Sequence, residues 1–440
     1  MDKVALKKKV CSAIDDRAEE IRRIKLDIWA NPELGYKEHR TAEKVAEAFQ
    51  RIGLPYSTGH ALTGVRAELE GTRETAHPFK VAILGELDAV LCWDHENSDR
   101  KTGAVHACGH DAQVAAMLGA AIGLADSGAA DHLAGNVVFF GVPAEEFVEL
   151  EYRQGLREQG EIEFFGGKQE FVRLGLFDDI DIAEMIHVQA DSPGRRVHLS
   201  SGSNGFVGKT VRYLGKEAHA GATPHLGVNA LNAAMLGLMG IHAQRETFRD
   251  EDLIRVHPII TRGGDLVNIV PADVRMETYV RGARTEAIFE ANKKVNRALL
   301  AGGMAVGAEC VITEIPGYLP LAPYAPLADV FAANTEELLG ADSVKRTGFS
   351  GGSTDMGDLS HLIPSIHPYV GGISGSAHAR TFKVADLDMV TVIPAKILAM
   401  TAVDLLWDDA SLGRSIKSTF TPAYTKDEYL AMWRRFSEGS

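Results

Sequence analysis

VAILGELDA (residues 81–89), HACGHDAQVAAMLGAAIGLA (106–125) and VVFFGVPAEE (137–146) decide the fold. The first and third open as unbroken apolar runs of strand length, Val81-Ala82-Ile83-Leu84 and Val137 through Val142. Between them, residues 112–125 form a stretch of small apolar residues at helical length. Strands without polar alternation, separated by helices, predict a largely parallel α/β sheet covered on both faces. Each run also ends in acids, Glu86 and Asp88 in one case and Glu145 and Glu146 in the other. The carboxyl ends of such strands are where open α/β sheets hold their ligands.

Working outward, residues up to about 54 read as two helices broken at Asn31-Pro32, a turn-initiating pair. The second starts near Thr41 and turns Ala42, Val45, Ala46, Ala48 and Phe49 inward. Near residue 200 the texture changes. Residues 209–214 alternate like a half-exposed strand, and a helix over 228–244 follows. Strands over 255–261 and 274–281, a helix over 286–301 and a strand over 309–315 complete the order βαββαβ of a ferredoxin-like domain. After Pro316 the α/β pattern resumes, with a helix over 325–339, a long helix near the C-terminus and a peripheral tail from about residue 410. The expected class is therefore α/β. A mostly parallel-sheet catalytic domain (1–200 and 316–440) is interrupted by a smaller ferredoxin-like α+β domain (201–315). The length, 440 residues, exceeds the roughly 250–300 at which single cores stop growing.

A formal net charge of −14 argues against a nucleic-acid binder, which needs a basic footprint for phosphate. Residues 1–11, MDKVALKKKVC, are basic without the apolar core of a signal peptide, and no apolar run of 18 residues predicts a membrane span. Four cysteines (Cys11, Cys92, Cys108, Cys310) in so long a chain make no disulfide framework, so the expected compartment is the reducing cytoplasm.

The chemistry concentrates in His106-Ala-Cys108-Gly-His110-Asp111. Cys108 and His110 are two apart, so in an extended segment both face one side. A thiolate and an imidazole suit Zn²⁺, Mn²⁺ or Co²⁺ rather than an all-oxygen Mg²⁺ or Ca²⁺ cage, with Asp111 placed to orient a ring nitrogen. In Glu145-Glu146 one carboxylate can bind an ion while its neighbour takes a proton from an activated water. Glu145 is read as that base and Glu146 as the ligand. His187 ends the apolar stretch 182–186, and His378 lies in the small-residue loop 375–379. Taken singly, each of these residues is more often structural. Together Cys108, His110, Glu146, His187 and His378 favour a dinuclear metal centre. In the inserted domain His219, Asn268 and Arg281 are suitable donors for an oxyanion and a carboxylate, though on their own they read as loop chemistry.

This ordered set resembles the aminoacylase and glutamate-carboxypeptidase family of dinuclear metallohydrolases. Its motifs are Asn31-Pro-Glu-Leu-Gly35, HACGHD, PAEE, the His187 strand end, AHAG at 218–221, NIVP at 268–271, Gly352-Ser-Thr-Asp355 and His378. The branch it is similar to holds aminobenzoyl-glutamate hydrolases, indole-acetyl-amino-acid hydrolases and beta-alanyl-lysine dipeptidases. The resemblance implies that the inserted domain is a lid that also dimerises, and that each subunit carries two divalent ions, Zn or Mn with Co as a further candidate. It implies Cys108 bridging or binding the metals with the other four ligands, and Glu145 as general base and then acid. It further implies His219 reaching across a homodimer interface to the oxyanion, and Asn268 and Arg281 on the substrate carboxylate. The expected substrate is a small N-acyl or aminoacyl amino acid. The alternatives are an unblocked dipeptide or, less favoured, a metal-binding relative without catalysis. No nucleic acid or membrane partner is expected. Three features depart from the family pattern. Glu86-Leu-Asp88 replaces an Asp-x-Asp pair, Gln113 replaces a histidine, and a charged and aromatic segment over 147–171 is expected to line or cover the pocket.

Overall fold

The computed structural model describes residues 1–73, 75 and 77–438. They form two compact units. The first comprises Met1–Ser201, Ala322–Gly348 and Asp358–Ala423; the second comprises Gly202–Leu321, Phe349–Gly357 and the tail from Tyr424.

At the centre of the first unit is a six-stranded sheet in the order Tyr56–His60, Gly64–Leu69, Gly135–Val142, Phe79–Glu86, Ile182–Glu184, Ser365–Ile366. The last four strands run parallel, and the hairpin from Tyr56 to Leu69 adds an antiparallel edge. The two apolar runs lie side by side, Val81 opposite Val137 and Ile83 opposite Phe139, and every residue of Gly135–Val142 is buried. Successive side chains of a strand point to opposite faces, so Phe139 and Phe140 report on both layers. Phe139 packs against Phe49 of the helix His39–Ile52, at 6.0 Å between ring centroids. Phe140 meets Phe177 at 5.0 Å and Phe171 at 5.8 Å. The segment expected to line or cover the pocket is thus first a covering layer for the second face of the sheet. It carries the helices Leu150–Glu158 and Gly167–Leu174.

The apolar helical stretch Leu387–Ser418, kinked by non-helical backbone at residues 407–410, passes a length-and-composition test for a membrane span. Its most apolar window is 89% buried inside the unit, packed among the helices of the core. Small residues permit that closeness: a Cβ on Gly119 would lie 2.8 Å from Ala395 Cβ. The N-terminal stretch holds three helices rather than two, Lys3–Asp16, Ala18–Trp29 and His39–Ile52. The first two divide at Arg17, and the expected break falls at Asn31-Pro32. A second sheet, in the order Val344–Thr347, Val197–Ser200, Tyr369–Val370, His187–Val188, sets His187 beside Tyr369.

In the second unit the strand Gly205–Leu214 lies between Asp273–Gly282 and Glu309–Tyr318, all antiparallel. The expected strand over 255–261 is split into Arg255–Val256 and Ile259–Arg262. Pro258 lies in the gap and has no N–H to give a ladder. Burial alternates strictly along Asp273–Gly282, which puts one face against the helices Ala230–Gln244 and Thr285–Val306. Those helices touch where Gly302 has no side chain; a Cβ there would sit 2.4 Å from Ala233 O. The tail is not peripheral. Thr425 and Glu428 form a reciprocal N-terminal cap on the helix Lys426–Ser437; Phe436 stacks on Phe289 and buried Trp433 meets the same ring edge-on. From Tyr424 it therefore groups with the second unit, as does Phe349–Gly357, where the sequence had placed both in the first; the start of the expected tail, residues 410–423, stays with the first unit.

Candidate metal centre

The cluster forms where strand ends of the first unit meet the start of a helix. His110 opens the helix His110–Asp126, and Gly109 before it is left-handed at φ 90°. A Cβ at Gly109 would strike Val188 Cγ2 at 2.3 Å, so this turn needs glycine on both counts. Cys108 Sγ lies 3.4 Å from His187 Nε2 and 3.2 Å from His378 Nε2. His378 Nε2 is 3.0 Å from Glu146 Oε1. On the other side, His110 Nε2 stands 3.0 Å from Glu86 Oε2 and 3.8 Å from Glu145 Oε2. The structure thus brings together Cys108, His110, Glu145, Glu146, His187 and His378.

Backbone and carboxylate partners set the tautomers. His110 Nδ1 faces Asp88 O at 2.9 Å and Asp88 Oδ1 at 3.2 Å, and His187 Nδ1 faces Val188 O at 2.8 Å. Both rings donate from Nδ1, which leaves the Nε2 lone pairs pointing into the cluster. Three groups result among the described residues, Cys108–His110–His187, Cys108–Glu146–His378 and Glu86–His110–Glu145, each with donor atoms within 4.8 Å of one another. The first two share the Cys108 sulfur, so Cys108, His110, His187, Glu146 and His378 together would hold two divalent ions. His110 Nε2 and Glu146 Oε1 are buried without a hydrogen bond despite their close neighbours. Buried polar atoms of this kind demand a partner, and a shared divalent transition ion suits this mix of sulfur, nitrogen and oxygen.

The electrostatics agree. Burial and the Glu146 carboxylate push the Cys108 thiol up, but His187, His110 and His378 outweigh them and bring it down to about 6. Burial also pushes Glu146 up, and the facing His378 overrides it to leave the carboxyl at about 2. The same pairing raises His378 to about 12. Thiolate and carboxylate are thus ionised at neutral pH, and a bound cation would take the place of the imidazole protons.

Sequence reading gave the supporting role to Asp111, and the structure gives it to Asp88. Asp111 does not orient a ring nitrogen; it forms a buried ion pair with Lys25 Nζ at 2.7 Å. Asp88 does that work, and its Oδ2 also accepts from Glu146 N at 2.8 Å. Its position at a strand end was the available signal, but nothing in the sequence chose between Asp88 and Asp111. The two departures at 86 and 113 are one feature. Gln113 Nε2 donates to Glu86 Oε2 at 2.9 Å, its Oε1 accepts from Glu86 N at 3.1 Å, and buried Lys168 holds Glu86 Oε1 at 2.6 Å.

The remaining candidates lie in the second unit. His219 and Asn268 are exposed on two loops joined by backbone pairing, Ala220 N to Asn268 O at 2.8 Å and Val270 N to Ala218 O at 3.0 Å. His219 Nδ1 accepts from Gly221 N and Ala222 N, so its Nε2 carries the proton and faces outward as a donor. Arg281 is elsewhere. It sits at the far end of Asp273–Gly282, donating to Ser353 Oγ at 2.8 Å beneath the Phe206 ring. At a rise of about 3.3 Å per residue, eight strand residues put it about 25 Å from the loop end. Asn268 and Arg281 of one chain therefore do not converge on one carboxylate.

A family model for peptidase family M20/M25/M40 matches residues 82–399, well over half of the chain. The Xaa-Arg dipeptidase of Homo sapiens is 30% identical over 431 residues, covering 91% of this chain and 89% of that protein. Among solved structures, an aminobenzoyl-glutamate utilization protein from Klebsiella pneumoniae is similar with a TM-score of 0.68 at 19% identity, covering 91% of this chain and 99% of that one. The YXEP protein of Bacillus subtilis, a dinuclear metal-binding peptidase, is similar with a TM-score of 0.65 at 20% identity, covering 88% and 98%.

Proposed function

The chain belongs to peptidase family M20/M25/M40, a hydrolase acting on carbon–nitrogen bonds, and from that premise we propose that it cleaves the amide of a small N-acyl or aminoacyl amino acid at the Cys108 cluster. The observation that carries this reading is the shared thiolate between two ligand triads, with Glu145 beside them. Two divalent ions, Zn²⁺ or Mn²⁺ with Co²⁺ as a further candidate, held by Cys108, His110, Glu146, His187 and His378, would supply an acidified water and a polarised carbonyl. Glu145 accepts the proton of the attacking water and returns it to the leaving amine. His219, its proton on Nε2, donates to the developing oxyanion. Arg281 pairs with the substrate carboxylate.

The span of Asp273–Gly282 supports sharing between subunits. His219 and Asn268 on one end and Arg281 on the other can serve one substrate only if they come from two copies. A homodimer through the second, ferredoxin-like unit, acting as lid, would provide them. Its surface supports that role: Met235 and Met239 on the helix Ala230–Gln244 are 55% and 65% exposed, and Ile259 on the edge strand is 60% exposed. An apolar helix face beside an open strand edge favours a protein partner. Because Cys108 must stay a thiolate, we place the chain in the cytoplasm.

A second reading, hydrolysis of an unblocked dipeptide, is favoured by the likeness to the human Xaa-Arg dipeptidase. The test is a hydrolysis screen on metal-stripped protein reloaded separately with Zn²⁺, Mn²⁺ or Co²⁺. N-acyl amino acids are compared with free dipeptides, including those ending in arginine. Turnover restored by metal on either substrate set supports the proposal. No turnover with any metal, and no metal-dependent rise in Tm, refutes it.

A further inference from the structure

The loop that carries Glu145 is held in an unusual way. Ala144 adopts a left-handed φ of 55°, a conformation few side-chain-bearing residues hold unaided. Arg153, on the helix Leu150–Glu158, is fully buried. Its guanidinium donates to Ala144 O at 3.3 Å, to Phe165 O at 2.7 Å and to Glu146 O. Aromatic faces flank it, Tyr36 at 5.4 Å and Phe147 at 6.0 Å from the ring centroids. From the opposite side, buried Glu38 accepts from Ala144 N at 2.8 Å and Asp88 accepts from Glu146 N at 2.8 Å. Residues 144 and 146, on either side of Glu145, are thus each tied through both N–H and C=O, which fixes the backbone from which its side chain projects.

The segment Gly35-Tyr36-Lys37-Glu38 is shaped around this arrangement. A Cβ on Gly35 would fall 2.3 Å from Arg153 Nη2 and 3.0 Å from Ala144 Cα. Tyr36 OH donates to Phe164 O at 3.0 Å, and Lys37 Nζ pairs with Glu149 at 2.8 Å. Burying a guanidinium is costly and is retained only where its donors are met. Here carbonyls of the active-site loop and its neighbour take the Nη1 and Nη2 donors, while Nε is buried without a hydrogen bond.

We propose that Arg153, seated by Gly35 and Tyr36, is a positioning residue that sets the direction of the Glu145 carboxylate. This rests on the reading of Glu145 as the base. It gives residues 35–38 and the segment over 147–171 a shared task in catalysis, apart from any contact with substrate.

The test compares Arg153→Met, Arg153→Lys, Gly35→Ala and Glu145→Gln under saturating metal, reading kcat, KM, bound metal and Tm. Misplacing a catalytic group by about 1 Å costs on the order of 10²-fold. The expected result is a fall in kcat of about that size in Arg153→Met, with KM within about threefold and metal content unchanged. Arg153→Lys, which keeps a charge and fewer donors, should regain part of the loss. Gly35→Ala should reproduce the loss, since it displaces the guanidinium without removing it; it also keeps the test open if Arg153→Met does not fold. Near-normal kcat in Arg153→Lys and Gly35→Ala, with Glu145→Gln inactive, overturns the proposal. So does a loss in which kcat, KM and metal content decline together with Tm. An active Glu145→Gln instead refutes the underlying assignment of the base.

Discussion

The Cys108 cluster and the His219–Asn268 loop pair differ in how their side chains are fixed. In the cluster Cys108, His110 and Glu146 are buried, His187 is partly buried and His378 half-exposed, and carbonyl and carboxylate oxygens set the tautomers of His110 and His187. The loop pair is exposed and held together by backbone hydrogen bonds, with only the His219 ring tied to its own turn. The cluster is organised before any ligand arrives. The loop pair has its donor orientation set but lacks surroundings, as expected of a surface that is completed by a second molecule.

The deepest test of this contrast is Glu145→Gln, which removes the proton acceptor while leaving the ligand donors. Turnover should fall by at least about 10³-fold, with metal stoichiometry unchanged by elemental analysis. Next, His219→Ala should cost about 10²–10³-fold in kcat yet leave Tm within a degree, because the ring is exposed. Mixing inactive His219→Ala with inactive Arg281→Ala protein should restore part of the activity if the two residues serve one site from two subunits. No recovery after subunit exchange, shown by mixed-dimer detection, would break the comparison. Asp88→Asn should then weaken metal affinity about 10–100-fold by releasing the His110 ring, measured by competition with a chromophoric chelator.

Two smaller effects test the scaffolds beneath the two regions. Trp433→Ala should destabilise the second unit by about 3–5 kcal/mol, read as a separate early transition in calorimetry, with metal affinity at the first unit retained. Glu184, in the strand that leads to His187, is buried with neither carboxylate oxygen partnered, and burial pushes its carboxyl well above the usual range. The native state keeps that proton while the unfolded chain releases it above about pH 4.5, so its contribution to stability is lost as pH rises. Glu184→Gln should therefore gain Tm relative to wild type as pH increases from about 5 to 8, by up to about 1.4 kcal/mol per pH unit. A gap that does not change with pH would show that Glu184 is ionised in the native state.

Much of this was legible from residue order. The apolar runs at 81–84 and 137–142 had to be buried strands, and the acids that follow them had to stand at strand ends. The change to alternation near residue 209 marked the second sheet for the same reason: a strand with one face open cannot be apolar on both. Harder to read were groups whose role depends on a distant partner. Asp111 adjoins His110 in sequence and Asp88 lies 22 residues before it, yet the approach of Lys25 to the first and of His110 to the second reverses what that proximity suggests. Arg153 looked like one more charge in a charged segment. The tail looked peripheral because Phe289, the ring it packs on, is more than a hundred residues earlier.

The sequence by itself therefore determined which chemistry is available: sulfur, imidazole and carboxylate donors at strand ends of an α/β sheet, with Glu145 and Glu146 adjacent among them. That follows from local period and residue type, which need no long-range information. The tertiary structure decided which of these groups meet, which nitrogen each histidine offers, and that Asn268 and Arg281 lie at opposite ends of one strand. Those outcomes depend on contacts between segments far apart in the chain, which composition and spacing do not encode. For the metallohydrolase centre, residue type fixes the kind of ion it can hold, and packing fixes the direction from which Glu145 faces it.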